Sequence, residues 1–310
     1  MSELARALGA AHDARSMYRR VLILANPISG GGRSRRAAPA LVAALAARGI
    51  AAELRFTTQG GDAKRFAGEV DRAQTDLVVS VGGDGTLNEV VNGLQDPSTP
   101  LAMLPMGTAN VLACELRLPR RVAALADAIA AGRTRPHAIG VANGRRFLLF
   151  IGAGLDGAMV ERVEQVRSGT LGKLKWFAPV LHVVRRFPQS SIELELEDGT
   201  RRDGLSEVMV TNVRNYGGVF RLPRGSGSGE GGFTVLAFRQ RTRRAWFRAA
   251  AAAFLFGLRD GVHCEVLRAQ ALRLRAATPA PFQIDGEFGG TTPLEITRLA
   301  EPARLVVPPL

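Results

Sequence analysis

The sequence predicts an α/β protein with an N-terminal open parallel sheet and a C-terminal antiparallel β-sandwich domain. From about residue 21 to 132, apolar strands alternate with helices across glycine-rich turns, which is typical of a parallel sheet. Further on, alternating residues and two-residue turns at Asn143-Gly144 and Asp198-Gly199 indicate antiparallel strands. We therefore expect one domain at 18–135, joined by a C-terminal segment at about 297–310, and a second domain at 136–296.

Four strands are expected in the first domain, at 21–25, 50–57, 76–81 and 101–104. The run 21–25 is wholly apolar, as a strand covered on both faces should be. The first, third and fourth strands each lead into a glycine-bearing turn. Because the carboxyl ends of parallel strands share one edge of a sheet, where ligands bind in such folds, these turns predict a ligand crevice.

The second domain is expected to contain a hairpin at 138–150 and strands near 192–197, 200–213, 233–238, 265–274 and 294–299. Helices are expected at about 158–187 and 241–257. Ligand pockets often lie between domains, so we expect the site at the boundary of the two units.

The composition is that of a globular protein with a basic surface. Of 310 residues, 46% are hydrophobic and 22% charged, and 41 basic against 28 acidic residues give a net charge of +13. Such a surface attracts nucleotides, nucleic acids or anionic bilayers, although it can also serve only for solubility. No aromatic and basic residues interleave on a recognisable module, so we expect no nucleic-acid partner.

Two cysteines are too few for a disulfide framework or a thiolate metal site. The N-terminal residues do not form a signal-peptide pattern, and no apolar run reaches 18 residues. These observations predict a cytoplasmic protein.

The turn Gly82-Gly83-Asp84-Gly85 has the chemistry of a phosphate site. Glycines let backbone N–H groups approach a phosphate chain, and the helix that begins near Thr86 directs its positive dipole end to the same place. Asp84 would repel phosphate unless a divalent cation bridges the two or other donors fix the carboxylate. Mg²⁺, which binds hard oxygen ligands and phosphate together, is the natural choice of cation. For Thr86 and Glu89 a capping box is an alternative interpretation, and the two interpretations are compatible.

Three motifs in order carry a resemblance to a known family. Asn26-Pro27-Ile28-Ser29-Gly30, then 82–89, then 105–110 (Pro-Met-Gly-Thr-Ala-Asn) resemble the diacylglycerol kinase catalytic domain family, which includes bacterial diacylglycerol kinases, YegS-like lipid kinases, and sphingosine and ceramide kinases. Residues 212–218 and 285–287 (Asp-Gly-Glu) are similar to the family's second-domain signatures. The resemblance covers the chain from about residue 18 to its end.

The resemblance implies an NAD-kinase/phosphofructokinase-like nucleotide-binding domain and a lipid kinase that uses ATP and Mg²⁺ on a diacylglycerol-like lipid. It implies that Asp84 organises the phosphates and Mg²⁺, and that Asp285 is the general base. The alternative for Asp285 is a turn residue. The residues implied at the nucleotide are Asn26, Ser29, Gly30, Thr57, Gly82, Gly83, Asp84, Gly85, Thr86, Asn88, Glu89, Gly107, Thr108, Asn110 and Glu287.

The sequence departs from the family pattern at two places. Val111 stands where the family often has aspartate. In the second-domain magnesium loop, Glu230-Gly231-Gly232 replaces the usual Asp-Gly-Leu. We expect Glu230 and the backbone of Gly232 to be the metal ligands there, with a geometry changed by the longer glutamate side chain.

A lipid substrate requires docking on a membrane surface without crossing it. Segments 171–188 and 241–255 combine basic residues with an aromatic and aliphatic face, which suits an anionic interface, although such a face also packs onto a sheet. Two other functions stay open, an NAD kinase-like enzyme with the same Gly-Gly-Asp-Gly-Thr turn and a catalytically silent regulator that binds nucleotide or lipid. The sequence also leaves open whether two copies form a homodimer.

Overall fold

The structure, a computed structural model, describes residues 17–166, 190–216, 220–223, 225–227, 232–240 and 242–308. The candidate membrane segment at 171–188, most of the helix expected at 158–187, and Glu230 lie outside these residues. Among the helices of the described ranges, none has the length and apolar character needed to cross a bilayer.

The first domain alternates strands and helices as expected. Its elements are β1 (Arg20–Ala25), α1 (Ser34–Ala46), β2 (Ala51–Phe56), α2 (Asp62–Gly68), β3 (Leu77–Gly82), α3 (Asp84–Gly93), β4 (Leu101–Pro105), α4 (Val111–Leu116), α5 (Val122–Ala131) and β5 (Thr134–His137).

The remaining elements are mostly strands. They are β6 (Gly140–Ala142), β7 (Arg145–Phe147), β8 (Phe150–Gly154), α6 (Leu155–Val166), β9 (Ile192–Leu196), β10 (Arg201–Leu205), β11 (Glu207–Thr211), β12 (Asn215–Tyr216), β13 (Phe220–Arg221), β14 (Phe233–Phe238), α7 (Arg243–Leu255), β15 (Glu265–Ala269), β16 (Ala271–Ala276), β17 (Pro281–Ile284), β18 (Glu287–Thr291), β19 (Leu294–Arg298) and β20 (Ala303–Val306).

The first sheet has the order β2-β1-β3-β4-β20-β5, and β1 to β4 run parallel. Its central strands are buried because helices cover both faces, which explains their apolar sequences. The chain moves from β1 to β2 at the edge and then returns across β1 to β3. This reversal makes the carboxyl ends of β1 and β3 the switch point at which open sheets bind ligands. Strand β20 comes from the end of the chain and pairs with β4 and β5.

The second half contains two six-stranded sheets, ordered β10-β9-β16-β19-β6-β7 and β15-β14-β11-β8-β17-β18, with antiparallel neighbours. Their facing side chains form one apolar cluster in which the Phe147 and Phe233 rings stack with centroids 5.5 Å apart. This packing is a β-sandwich, so the predicted fold class is confirmed.

The sequence prediction differs from the structure at three places in the sandwich. The single strand expected at 200–213 is interrupted at Ser206, and its halves β10 and β11 belong to different sheets. The single strand expected at 265–274 is interrupted at Gln270, and its halves β15 and β16 belong to different sheets. The hairpin of β17 and β18 was not predicted. Gly289 and Gly290 weaken its strand pattern, and Gly289 is needed because a Cβ there would lie 2.3 Å from the Phe282 ring.

Candidate active site

The three glycine-bearing turns of the first domain meet at the switch point. The Asn26 N–H donates to the Val81 carbonyl (3.0 Å), and the Met106 N–H donates to the Gly82 carbonyl (2.8 Å), which continues the sheet beyond the strands. Within the first turn, the Ser29 N–H donates to the Asn26 carbonyl at 3.2 Å. The structure therefore brings together the turns that the sequence predicted to share this edge.

Two of these turns touch through glycine backbone. A Cβ built on Gly107 would lie 2.6 Å from the Gly83 Cα, and one built on Gly83 would lie 3.2 Å from the Gly107 Cα. Asn110 holds this arrangement, because its side chain accepts from the Gly107 N–H (2.9 Å) and donates to the Gly107 carbonyl (2.7 Å). The exposed Thr108 lies in the same turn.

The crevice has the features of a phosphate site. Gly30, Gly31 and Gly32 all have positive φ, between 64° and 86°, so the first turn curls in a way open mainly to glycine. Helix α3 begins without a side-chain cap, which leaves its first N–H groups for an anion. Arg33, which sequence reasoning missed, donates to the Gly30 carbonyl and adds a positive charge beside the turn. These residues fit the phosphate chain of a nucleotide.

Asp84 ties the second glycine turn to the third. Its carboxylate accepts from the Val111 N–H (2.9 Å) and the Leu112 N–H (3.3 Å), which caps α4. Burial raises the pKa of Asp84, and these two hydrogen bonds oppose that rise. Within the described ranges no group of three His, Cys, Asp or Glu side chains can hold a metal ion. One carboxylate together with substrate phosphates is nevertheless how proteins usually bind Mg²⁺, so Asp84 fits a cation that arrives with the nucleotide.

The capping box proposed for Thr86 and Glu89 is wrong. Helix α3 begins at Asp84, so Thr86 already lies within its first turn. The Glu89 carboxylate instead accepts from the Ala63 N–H (3.2 Å) and caps the start of α2. Thr57, buried at the end of β2, extends the pairing with β1 by donating to the Ala25 carbonyl.

Asp285 is a turn residue, and its carboxylate also contacts the first domain. It lies between β17 and β18 with φ of 50°. One carboxylate oxygen accepts from the N–H groups of Leu149 (2.9 Å) and Phe150 (3.0 Å). The other accepts from the Leu148 N–H (2.8 Å) and from the side-chain amide of Asn88 on α3 (2.8 Å).

Burial and hydrogen bonding act in opposite directions on the pKa of Asp285. Burial raises the pKa of Asp285 to about 6, although all four hydrogen bonds lower it. Four N–H donors also fill the acceptor capacity of a carboxylate, so an incoming hydroxyl must displace one of them. Asn88 is the only side chain among the four donors, and its own carbonyl oxygen accepts from the Asn92 side chain at 3.0 Å. A hydroxyl that replaces the Asn88 amide therefore leaves the backbone donors in place.

One predicted residue, Glu287, and three residues that were not predicted lie around this contact. Glu287 pairs with Arg145 and lies near Gly85, where a Cβ would be 3.7 Å from its carboxylate. The Arg146 N–H donates to the Asn92 side chain (2.8 Å), and its guanidinium donates to carbonyls at the end of α3. Sequence reasoning missed Arg145, Asn92 and Arg146, because nothing in a short hairpin or a helix face indicates a contact with another domain.

A buried polar network supports the turn that carries Asp285. The Gly286 N–H donates to the Gln283 side chain (2.7 Å), whose amide donates to Asp156 (2.8 Å). Asp156 also accepts from the Tyr216 hydroxyl, and its backbone N–H donates to Glu207 (3.1 Å). Burial raises the pKa of both Asp156 and Glu207. The sequence did not single out these residues.

The structure describes only part of the predicted second metal site. Glu230 lies outside the described residues. The Gly232 carbonyl, expected to be a metal ligand, lies 3.5 Å from a guanidinium nitrogen of Arg268. The expectation that Glu230 and the Gly232 backbone bind a metal ion therefore stays a prediction.

Two family models match the chain. Residues 20–142 match the diacylglycerol kinase catalytic domain, and residues 150–308 match the YegS C-terminal NAD kinase β-sandwich-like domain. Together these matches extend over both domains of the structure.

Curated relatives and solved structures match along nearly the whole chain. The chain is 27% identical over 293 residues to a diacylglycerol kinase of Bacillus subtilis, covering 94% of this chain and 97% of the relative. It is 26% identical to a diacylglycerol kinase of Staphylococcus epidermidis, covering 94% and 93%. A crystal structure of a putative diacylglycerol kinase from Bacillus anthracis superposes with a TM-score of 0.76 at 24% identity over 95% of this chain and 99% of that one.

Proposed function

Because the chain belongs to the family that joins a diacylglycerol kinase catalytic domain to a YegS C-terminal domain, we propose that it transfers the γ-phosphoryl group of ATP to a diacylglycerol-like lipid. Family membership makes it a kinase with an alcohol acceptor. The choice of ATP, of Mg²⁺ and of this lipid class is our proposal. The observation that carries it is the 2.8 Å contact between Asp285 of the second domain and Asn88 of α3, the helix whose start lines the glycine crevice.

On this proposal the first domain binds the phosphates of ATP with glycine turns, in which no side chain stands between the backbone and the phosphates. The backbone N–H groups at the start of α3 and the curled 30–32 turn orient the phosphate chain. Asp84 keeps the second and third turns together and offers a carboxylate to Mg²⁺. Bound with the nucleotide, Mg²⁺ neutralises charge that develops on the transferred phosphoryl group.

Asp285 supplies the base. With a pKa of about 6, its carboxylate is mostly deprotonated at neutral pH yet more basic than an ordinary aspartate. The lipid hydroxyl replaces the Asn88 amide as a donor to Asp285. As its oxygen attacks the γ-phosphorus, the carboxylate accepts the proton, and the bond from the γ-phosphorus to the bridging oxygen breaks, so that ADP leaves. The three backbone N–H groups hold the carboxylate in place throughout.

Helix α7 supports docking at an anionic membrane surface. Its inward side packs Trp246 onto Phe238 and buries two alanines. Its other side and the residue that follows expose Phe247, Phe254, Leu255 and Phe256, which are 56–77% accessible. The exposed Arg243, Arg244 and Arg248 lie in the same helix. An exposed aromatic face with arginines beside it suits insertion at the headgroup level.

The test is a transfer assay with γ-labelled ATP across diacylglycerol, monoacylglycerol, phosphatidylglycerol, sphingosine, ceramide and NAD. We expect label on diacylglycerol or its near relatives, a requirement for Mg²⁺, and loss of transfer in Asp84→Ala. Label on NAD alone would favour the NAD kinase alternative. Absence of transfer to every acceptor, with nucleotide still bound, would favour a silent regulator.

A further inference from the structure

Arg146, on β7 of the second domain, holds the helix whose start lines the glycine crevice. Its guanidinium donates to the carbonyls of Val91 (2.8 Å) and Leu94 (2.7 Å) at the end of α3. Its backbone N–H donates to the side-chain carbonyl of Asn92 (2.8 Å), and its own carbonyl accepts from the side-chain amides of Asn92 (2.9 Å) and Asn88 (3.3 Å). One residue of the second domain therefore binds α3 through both its side chain and its backbone.

The physical chemistry of a helix end explains the guanidinium contacts. The last four carbonyl groups of a helix have no N–H partner within it, and this end of a helix carries a partial negative charge. Val91 lies in the last turn of α3, and Leu94 directly follows the helix. A guanidinium, which is always protonated and has N–H donors in a fixed fork, satisfies both conditions. Arg146 thus binds the end of α3 opposite to the end that suits an anion.

The same helix sets the distance between the crevice and Asp285. Helix α3 runs from Asp84 to Gly93, and an α-helix rises about 1.5 Å per residue. The Asn88 amide, which contacts both Asp285 (2.8 Å) and the Arg146 carbonyl, therefore lies about 6 Å along the axis from the start of α3. If α3 moved by one residue against the second domain, this distance would change by about 1.5 Å.

An error of that size matters for phosphoryl transfer. The attacking and leaving oxygens must be roughly in line, and a misplacement of about 1 Å can cost about 100-fold in rate. Asn88 and Asn92 bind β7 through neutral groups, whereas the Arg146 guanidinium makes charged hydrogen bonds, which are roughly twice as strong. The guanidinium is therefore the strongest of these contacts that keep α3 in register.

We propose that Arg146 is a positioning residue, which fixes α3 and the nucleotide phosphates bound at its start relative to Asp285. This proposal rests on the proposed function, because it takes Asp285 as the base and the start of α3 as the phosphate site. Arg146 itself contacts neither the lipid nor the nucleotide.

The test compares single-turnover transfer from bound ATP to diacylglycerol, ATP affinity and Tm in the wild type and in Arg146→Met. We expect the transfer rate to fall at least about tenfold, because the end of α3 is no longer held. ATP affinity should stay at the wild-type value, since the glycine turns that bind the phosphates lie in the first domain. All rates are measured well below the Tm of each variant, so that loss of folding does not enter the comparison.

A second variant removes the other contacts and leaves the guanidinium in place. Asn92→Ala deletes the hydrogen bonds between the Asn92 side chain and the Arg146 backbone. It should show the same pattern, slower transfer at unchanged ATP affinity. It also decides the question if Arg146→Met does not fold.

Arg48→Met is the matched control. The Arg48 guanidinium also donates to a carbonyl in the last turn of a helix, that of Ala44 in α1 (2.6 Å), and to Asp127 of α5 (2.6 Å). All three residues lie in the first domain, so we expect transfer at the wild-type rate in this variant, even at a lower Tm.

The proposal is overturned if Arg146→Met, or Asn92→Ala where only that variant folds, transfers at the wild-type rate. It is also overturned if transfer and ATP affinity fall together, or if Arg48→Met slows transfer as much, because Arg146 would then act only through stability. A wild type that transfers label to no lipid would instead overturn the proposed function, and this proposal with it.

Discussion

At Asp285, burial and hydrogen bonding have opposite effects on the pKa of the carboxyl group. Two or three backbone N–H donors alone can hold a carboxylate pKa below its usual range. Here four N–H donors are present, and the pKa is nevertheless raised to about 6 because the carboxylate is removed from water. The result is a base that is available at neutral pH and is protonated in mild acid.

The first prediction is the pH dependence of turnover. The folded-state pKa of Asp285 is raised, so its proton is bound below about pH 6 and released above it. We expect kcat/KM for the lipid to be level above that pH and to fall about tenfold per unit below it, because only the carboxylate form accepts a proton. A profile that stays level to well below pH 6 would contradict the assignment of Asp285 as base.

The second prediction tests whether the fall in turnover at acidic pH comes from Asp285 or from the nucleotide, whose phosphates also titrate. Asn88→Ala removes one donor that lowers the pKa of Asp285. The fall in kcat/KM at acidic pH should therefore begin at a higher pH in this variant. Asn143→Ala is the control, since the exposed Asn143 side chain bonds to the backbone of Pro293 and Glu295. If this pH shifts equally in both variants, or does not shift in Asn88→Ala, the fall in kcat/KM comes from another group.

At the scale of elements, the sequence predicted best where one physical signal decides the structure. The continuous apolar runs predicted β1, β3 and β4, because strands covered on both faces need apolar side chains throughout. The Asn143-Gly144 turn of β6 and β7 was predicted by residues that tolerate positive φ, and both residues have it. The β17–β18 hairpin was missed because its glycines serve close packing against Phe282, which no local pattern indicates.

The third prediction concerns the contact between two glycine turns. Gly107→Ala places a Cβ 2.6 Å from the Gly83 Cα, so the turns must separate. Overpacking of this kind costs about 1–3 kcal/mol, and we expect ATP affinity to fall about tenfold or more. Isothermal titration calorimetry with ATP measures this affinity. Gly60→Ala is the control, because nothing lies within 4 Å of a Cβ there, and its affinity should be unchanged. Wild-type affinity in Gly107→Ala would contradict the predicted crevice.

The fourth prediction concerns α7 and the membrane. Phe247→Ser together with Phe256→Ser removes two aromatic rings that are 61% and 77% exposed. Burying each ring at an interface is favourable by about 1.5–3 kcal/mol, so we expect binding to anionic vesicles to fall at least about tenfold in a co-sedimentation assay. Ile28→Ser, at a residue 67% exposed in the other domain, should bind vesicles like the wild type. If the double variant binds vesicles as well as the wild type does, the exposed face of α7 is not the membrane-binding surface.

At the scale of the whole molecule, the site exists only because two domains meet. The first domain is completed by β20 from the chain's end, and α3 contacts the second domain through Asn88, Asn92 and the backbone of Arg146. The motifs predicted which residues matter near the nucleotide. They did not predict which groups hold Asp285, or that Arg268 meets the Gly232 carbonyl, because such contacts join residues far apart in sequence and depend on domain packing.

The most direct test of the central claim is a single-turnover transfer from bound ATP to diacylglycerol by wild type and by Asp285→Asn, with nucleotide affinity measured in parallel. The asparagine keeps the size of the side chain but cannot accept the proton. We expect wild-type affinity for ATP and a transfer rate lower by about 10²–10⁴-fold in the variant. Transfer at the wild-type rate in Asp285→Asn would contradict this expectation.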